Sequence, residues 1–258
     1  MTSKDFYYNK AKQEGYRSRA AYKLIQLDED EQLFSSGDTV VDLGAAPGGW
    51  MQVAAKRVGS GGRVIGADFQ GIDPIEADAE VVSVRGDVTE ESTMEDIVAH
   101  LPDEGADVVL SDMAPNMTGE YSLDQARSVH LASRAFDVAS ALLAPGGHFA
   151  VKVFQGSDVD GLRGRLEQHF EYVRTTSPDA SRDSSSEVYL IGKRYLDPPV
   201  EVGDRVTVEI TQMGTEGDGI ASIEGYRIFV QGTEVGDEVD IEITDLKANF
   251  GFARRLGE

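Results

Sequence analysis

The chain contains no cysteine, which excludes disulfides, thiolate zinc sites and a cysteine nucleophile. No apolar run approaches the roughly 20 residues needed to span a bilayer. The N-terminal MTSKDFYYNKAKQEG lacks a signal-peptide apolar region. No membrane association is therefore expected, and a cytoplasmic location is. Positive charge is also scarce, with 24 Lys and Arg against 46 Asp and Glu and a formal charge of −22. An ordinary nucleic-acid binder has the opposite balance. Here the acids are spread through all 258 residues instead of forming a tail. A halophilic host, whose internal salt screens self-repulsion, accounts for such a spread. The global charge then says nothing about substrate. His100, His130, His148 and His169 have no metal-ligand spacing, so no metal site is expected.

Against this acidic background, residues 1–24 stand out. They carry Lys4, Lys10, Lys12, Arg17, Arg19 and Lys23 against Asp5 and Glu14, a net +4. Phe6, Tyr7, Tyr8, Tyr16 and Tyr22 are interleaved with them. Basic residues with aromatics suit phosphate contact and base stacking. A solvated amphipathic helix with core aromatics fits the same composition.

Downstream, apolar runs alternate with helical patterns. Strands are predicted at 39–43, 63–67, 81–84, 107–111, 148–153 and 187–191, and helices near 49–58, 92–99, 122–143 and 158–169. This alternation predicts an α/β fold with a parallel, doubly wound, Rossmann-like sheet. APGG at 144–147 reads as a stop between the long helix and the next strand. From Arg194 the character changes. A Pro-Pro linker at 194–200 leads to short runs at 205–210, 220–223, 226–230 and 238–243, separated by turn residues. These predict a small all-β barrel over 201–258.

Ligands of open α/β sheets bind beyond the carboxyl ends of the strands. The first strand is followed by DLGAAPGGW, 42–50. It is neither G-x-G-x-x-G nor a P-loop, which weakens the NAD and ATP readings. D-x-G-x-x-P-G-G is closer to the first motif of S-adenosylmethionine-dependent methyltransferases. Asp68 ends the second strand, where an acid can accept hydrogen bonds from ribose hydroxyls. Asp87 follows the third, in position for an adenine amino group. The fourth ends in LSDMAPN, 110–116, without the aromatic ring that amine methylation uses. Carbon-5 pyrimidine methylation needs the absent cysteine, so a hydroxyl acceptor remains. Lys152 lies in the apolar run FAVKVF, where an ammonium is costly unless paired or neutral. A neutral amine there can take a hydroxyl proton. Glu187 begins the last strand and is in position to face Lys152, while Lys23 lies in the basic segment.

Taken together, SRAAYKL, DLGAAPGGW, SDMAPN, VKVFQG and SSEVYLIG, in that order, resemble the FtsJ-type ribosomal RNA 2′-O-ribose methyltransferases over roughly residues 4–193. The resemblance implies a class I methyltransferase domain over 1–193. It implies a Lys-Asp-Lys-Glu tetrad at Lys23, Asp112, Lys152 and Glu187, with Lys152 as proton acceptor. It also implies cofactor contacts at Gly48, Trp50, Asp68, Asp87 and Asp112. The implied reaction is in-line methyl transfer from S-adenosylmethionine to the 2′-oxygen of a uridine in 23S ribosomal RNA, free or in the ribosomal particle. Transfer RNA 2′-O-methylation is an alternative these motifs do not separate. An RNA-binding ribosome assembly factor with a vestigial site is another. The tail GDGIASIEGYRIFVQG and GDEVDIEI resembles a TRAM domain. Its one basic-aromatic stretch, LKANFGFARR at 246–255, is the candidate RNA contact. A halophilic archaeal source and a monomer are expected.

Overall fold

A computed structural model describes residues 3–181, 186–196, 198–215, 217–247 and 249–256. Ser185 of SSEVYLIG, Asp197 of the expected linker, Ala248 of LKANFGFARR, and the side chains of Lys4 and Asp5 lie outside the described residues. The basic segment folds into two helices, α1 (Ser3–Gln13) and α2 (Ala21–Glu31). The alternating part follows as β1 (Thr39–Leu43), α3 (Gly49–Val58), β2 (Arg63–Asp68), β3 (Glu80–Arg85), α4 (Glu91–Val98), β4 (Ala106–Ser111), α5 (Tyr121–Leu142), β5 (Leu143–Phe154), α6 (Val159–His169), β6 (Phe170–Thr176) and β7 (Glu187–Tyr195). Among the described residues no helix is long and apolar enough to cross a membrane.

These strands form one seven-stranded sheet in the order β3-β2-β1-β4-β5-β7-β6. The central strands bury both faces, which is why they read as continuous apolar runs. Val41, Leu43, Ile65 and Val109 face one core, shared with Phe136 of α5. Val40, Val64, Val108 and Leu110 face a second, shared with Trp50 and Met51 of α3 and Leu24 of α2. From β1 the chain goes to β2 on one side and later to β4 on the other. The crevice between the carboxyl ends of β1 and β4 is therefore the switch point where this topology offers a binding site.

Two expectations are corrected. The sheet is not all parallel, because β7 runs antiparallel to both β5 and β6. No strand was expected at 170–176, so 187–191 looked like the successor of a helix. β6 sits at the sheet edge and buries only Phe170 fully, which left its apolar signal weak. APGG does end the long helix, but it lies within β5. Leu143 already pairs with Ala106, and the ladder resumes at His148 opposite Val108, so the four residues bulge between them.

The tail forms β8 (Arg205–Glu209), β9 (Gln212–Met213), β10 (Gly219–Ile223), β11 (Tyr226–Val230), β12 (Glu238–Leu246) and β13 (Phe250–Arg255). Their sheet, in the order β8-β12-β13-β11-β10-β9, curls until β10 packs on β8 and encloses a core of Ile210, Ile228, Val230 and Ile241. It is a half-barrel with its own core. β13 was not expected because its alternation is inverted. Gly251 and Ala253 point inward, while Phe250 and Phe252 are on the outer face. A Cβ at Gly251 would lie 2.9 Å from Leu246 Cδ2, so the inside has no room for a larger residue.

Candidate active site

The turn after β1 is shaped by two glycines at positive φ, where side chains are strained. Gly44 has φ +76°, and a Cβ there would lie 2.1 Å from Met113 Cγ. Its N–H and that of Ala45 donate to the Ala67 carbonyl at 2.8 and 3.2 Å, binding the turn to the end of β2. Gly48 has φ +100°, and a Cβ there would crowd the Arg17 guanidinium. Arg17 donates to the carbonyls of Pro47 (3.0 Å), Asp73 (2.8 Å) and Pro74 (2.7 Å). One of the six basic residues of the N-terminal segment thus clamps the turn.

Beside this turn lies a cavity of ≈ 460 Å³, lined by Gly44, Asp68, Phe69, Asp87, Asp112 and Met113 among others. Asp68 accepts hydrogen bonds from the N–H of Ala46 (3.0 Å) and of Gln70 (2.8 Å), which hold its carboxylate at the cavity wall. Asp87 accepts from the N–H (2.9 Å) and hydroxyl (2.7 Å) of Thr89. The backbone bond, and then the hydroxyl, hold its carboxyl below the usual range. Phe69 is 71 % exposed, a large ring at the rim. The cavity shares Gly44, Ala46 and Asp112 with a smaller inner recess lined by Asp42 and Trp50. Carboxylates for hydroxyl and amino donors, an exposed ring for a base and an acid-lined recess for a cation fit an adenosyl amino acid. They do not fit a phosphate, which the acids would repel.

The four residues of the expected tetrad lie together, with Asp112 among those lining the cavity. Lys152 Nζ lies 3.0 Å from Asp112 Oδ1 and also donates to the Asp112 carbonyl. Lys23, on α2, pairs with Glu187 at 2.7 Å and lies 3.9 Å from Asp112 Oδ1. Glu187 therefore pairs with Lys23, whereas the sequence position suggested Lys152. The register explains this: Lys152 is opposite Tyr189 on β7, and Glu187 is opposite Phe154. Lys152, 7 % exposed, and Lys23 are both buried. Charges held so far from water are stable only in such pairs.

Tyr189 was not singled out from the sequence. Its hydroxyl donates to the same Asp112 Oδ1 at 2.7 Å. Burial, and then the charges of Asp112 and Glu187, push its phenol well above its ordinary value, keeping it a neutral donor. Strand parity was the available signal, since residues two apart share a face and Tyr189 follows Glu187 by two. Asp42 was also missed as a site residue. It is an acid in an apolar strand, the same anomaly that marks Lys152.

The structure places the remaining candidates as follows. Trp50 is 3 % exposed. Its indole N–H donates to the Ala20 carbonyl at 2.8 Å, and its ring packs on Tyr189 at 5.9 Å. It lies at the inner recess and is not among the residues lining the larger cavity. The N-terminal aromatics divide between the two compositional readings. Tyr7, Tyr16 and Tyr22 pack together, with Lys10 over the Tyr22 ring at 4.6 Å. Phe6 and Tyr8 are on the surface.

Comparison with known proteins gives concordant matches. Residues 16–195 match the family of FtsJ-like methyltransferases, and residues 199–256 match the TRAM domain. A protein of Halorubrum lacusprofundi named ribosomal RNA large subunit methyltransferase E is 60 % identical over 256 residues, covering 99 % of this chain and 95 % of that one. One of the same name from Natronomonas pharaonis is 59 % identical over 256 residues, covering 99 % and 100 %. Both relatives come from halophilic archaea, in keeping with the surplus of acids. A crystal structure described as a ribosomal RNA methyltransferase from Plasmodium falciparum has a TM-score of 0.62 and 30 % identity, covering 70 % of this chain and 98 % of that one.

Proposed function

This chain belongs to the FtsJ-like methyltransferase family, and we propose that it methylates the 2′-oxygen of a uridine ribose in large-subunit ribosomal RNA, with S-adenosylmethionine as donor. The observation that carries the reading is the buried Lys152–Asp112 pair at 3.0 Å beside a cavity walled by Asp68 and Asp87. When bound, the cofactor supplies a methyl group activated by a sulfonium charge. Asp68 would accept from its ribose hydroxyls and Asp87 from its adenine amino group, with Gly48 and Trp50 in the supporting turn and helix.

Lys152 Nζ, held by Asp112, would take the proton of the 2′-hydroxyl as that oxygen receives the methyl group the cofactor supplies. Asp112 steers the Lys152 amine from two sides, through its carboxylate and its own carbonyl. Tyr189 fixes that carboxylate in turn. Lys23, held by Glu187, faces the acceptor ribose and orients it. Much of the rate comes from positioning, because the methyl group needs no further activation.

Transfer of labelled methyl from the cofactor to large-subunit RNA, in molar potassium chloride, is the test. Label recovered as 2′-O-methyluridine is the expected result. Label in transfer RNA alone would change the acceptor class. Cofactor binding without any transfer would leave the assembly-factor reading.

The curled tail domain is proposed as an RNA-holding module. Phe229, Phe250 and Phe252 form a ring cluster on its outer face, with centroids 5.5 to 5.8 Å apart. The exposed Arg227 lies opposite Phe250. Rings flanked by a guanidinium suit base stacking, even on an acidic domain. Deleting residues 201–258 is expected to raise KM for RNA several-fold more than it lowers kcat, in steady-state assays. An unchanged KM would make the domain purely structural.

A further inference from the structure

Tyr121, the first residue of α5, is 62 % exposed, yet it is held in place. Its hydroxyl donates to the Gln155 carbonyl at 2.6 Å, where the chain leaves β5. A surface tyrosine ordinarily packs its ring and shows its hydroxyl to water. Here the hydroxyl is engaged and the ring stands in solvent. One face of α5 secures this corner. A Cβ at Gly156 would lie 2.5 Å from Gln125 Cδ, and Ser128 Oγ accepts from the Phe154 N–H at 2.9 Å. Spacings of four and seven residues place Tyr121, Gln125 and Ser128 on the same side of the helix. Asp124 fixes the preceding loop by accepting from the N–H and hydroxyl of Thr118, both at 2.8 Å, and from the Gly119 N–H at 3.0 Å.

The corner adjoins the tetrad. Asp112 opens the loop that ends at Tyr121. Gln155 lies three residues after Lys152, roughly 10 Å along the chain. Its N–H donates at 2.7 Å to the carbonyl of Ser186, the neighbour of Glu187. α2 packs on one face of the sheet and α5 on the other. Lys23 and Tyr121 therefore reach the ends of β5 and β7 from opposite sides. Tyr121 is not among the residues lining the larger cavity or the inner recess. The exposed ring is on the acceptor side of the tetrad, away from the cofactor side.

Charge decides what the ring can take. The exposed Glu120 beside it disfavours a phosphate, whereas a nucleobase offers a neutral π-face. The chain carries −22, and in the molar salt that suits such a charge phosphate contacts are screened. Stacking on a ring then carries a larger share of the hold on RNA. We propose that Tyr121 is a stacking platform for an unpaired base of the acceptor RNA, next to the reacting ribose. Its bond to Gln155 sets the ring in place before the RNA arrives, which reduces the ordering cost of binding. The assignment rests on the RNA acceptor reading given above.

Steady-state transfer to large-subunit RNA transcripts, in molar potassium chloride and at saturating S-adenosylmethionine, tests this on the full chain with two variants. Tyr121→Ala is expected to raise KM for RNA about tenfold, the size of one lost base–ring stack, and to lower kcat less. Its affinity for S-adenosylhomocysteine should match the wild type, which also reports that the site is folded. Tyr121→Phe keeps the ring and loses only the bond to Gln155, so its KM should return most of the way to the wild-type value. A wild-type KM in Tyr121→Ala would overturn the proposal. So would a Tyr121→Phe protein as impaired as Tyr121→Ala, since the tether and not the ring would then matter. A parallel loss of S-adenosylhomocysteine affinity would also overturn it, making Tyr121 a support of the fold. If the wild type transferred no methyl to RNA, the acceptor reading itself would fall.

Discussion

Lys152→Ala is expected to lower single-turnover methyl transfer by about 10³-fold, within the range that a positioned proton acceptor supplies. Cofactor affinity should change little, because Lys152 is not among the residues lining either the larger cavity or the inner recess. The residue sits one step behind, on Asp112, and its proposed target is the acceptor oxygen and not the cofactor. Removing it also leaves Asp112 with the Tyr189 hydroxyl and the more distant Lys23. Breaking a buried pair costs roughly 3–5 kcal/mol, so the fold needs its own check. Lys152→Met, which keeps most of the packed stem, provides one. Both variants should bind S-adenosylhomocysteine near the wild-type level and both should be inactive. Near-wild-type transfer in either would remove Lys152 as the proton acceptor.

Trp50→Ala is expected to act first on stability. The side chain is buried against Tyr189 and within the core shared by α2, α3 and the sheet. Truncating a buried Trp costs about 3–5 kcal/mol. For a domain of this size that corresponds to a fall in Tm of roughly 10 °C. The same change removes the indole N–H bond (2.8 Å) to the Ala20 carbonyl at the head of α2, which keeps only its bonds from the N–H groups of Lys23 and Leu24. Since α2 carries Lys23, loosened packing there should also weaken the Lys23–Glu187 pair and reduce kcat. Trp50→Phe would retain the ring contact and lose only the hydrogen bond, a loss of about 0.5–1.5 kcal/mol because the carbonyl keeps its backbone donors. Thermal melts in molar potassium chloride, with cofactor titrations alongside, distinguish the roles. A Trp50→Ala protein that melts like the wild type but binds cofactor poorly would make Trp50 a direct ligand contact and not a core residue.

Most of the secondary structure was legible because this sheet has an unusually clear code. Its central strands are buried on both sides and read as apolar runs, while α3 to α6 carry helical periods between them. Strand ends were legible too, and with them Asp68, Asp87 and Asp112, since ligands of such sheets meet the carboxyl ends. What was missed failed for specific physical reasons. β6 is an edge strand with one fully buried residue. β13 turns its aromatics outward over a packed interior of Gly251 and Ala253. Tyr189 and Asp42 lie inside motifs recognised as wholes, and only their faces and burial single them out.

The amino-acid sequence by itself determined the element types, the change of architecture after Arg194, the glycine turn and the anomaly of Lys152, while the tetrad as a set came from the family resemblance. These follow from local quantities, namely hydrophobic period, turn chemistry and the presence of an ion in an apolar run. The tertiary structure alone decided the pairing. Lys23 and Glu187 are 164 residues apart in the chain and 2.7 Å apart in space. Asp112 is shared by Lys152 and Tyr189, and Asp42 faces an acid-lined recess. Strand register and burial set those partners, because a charge withdrawn from water takes whichever counter-charge the packed chain brings within reach. No local pattern in the sequence encodes that choice.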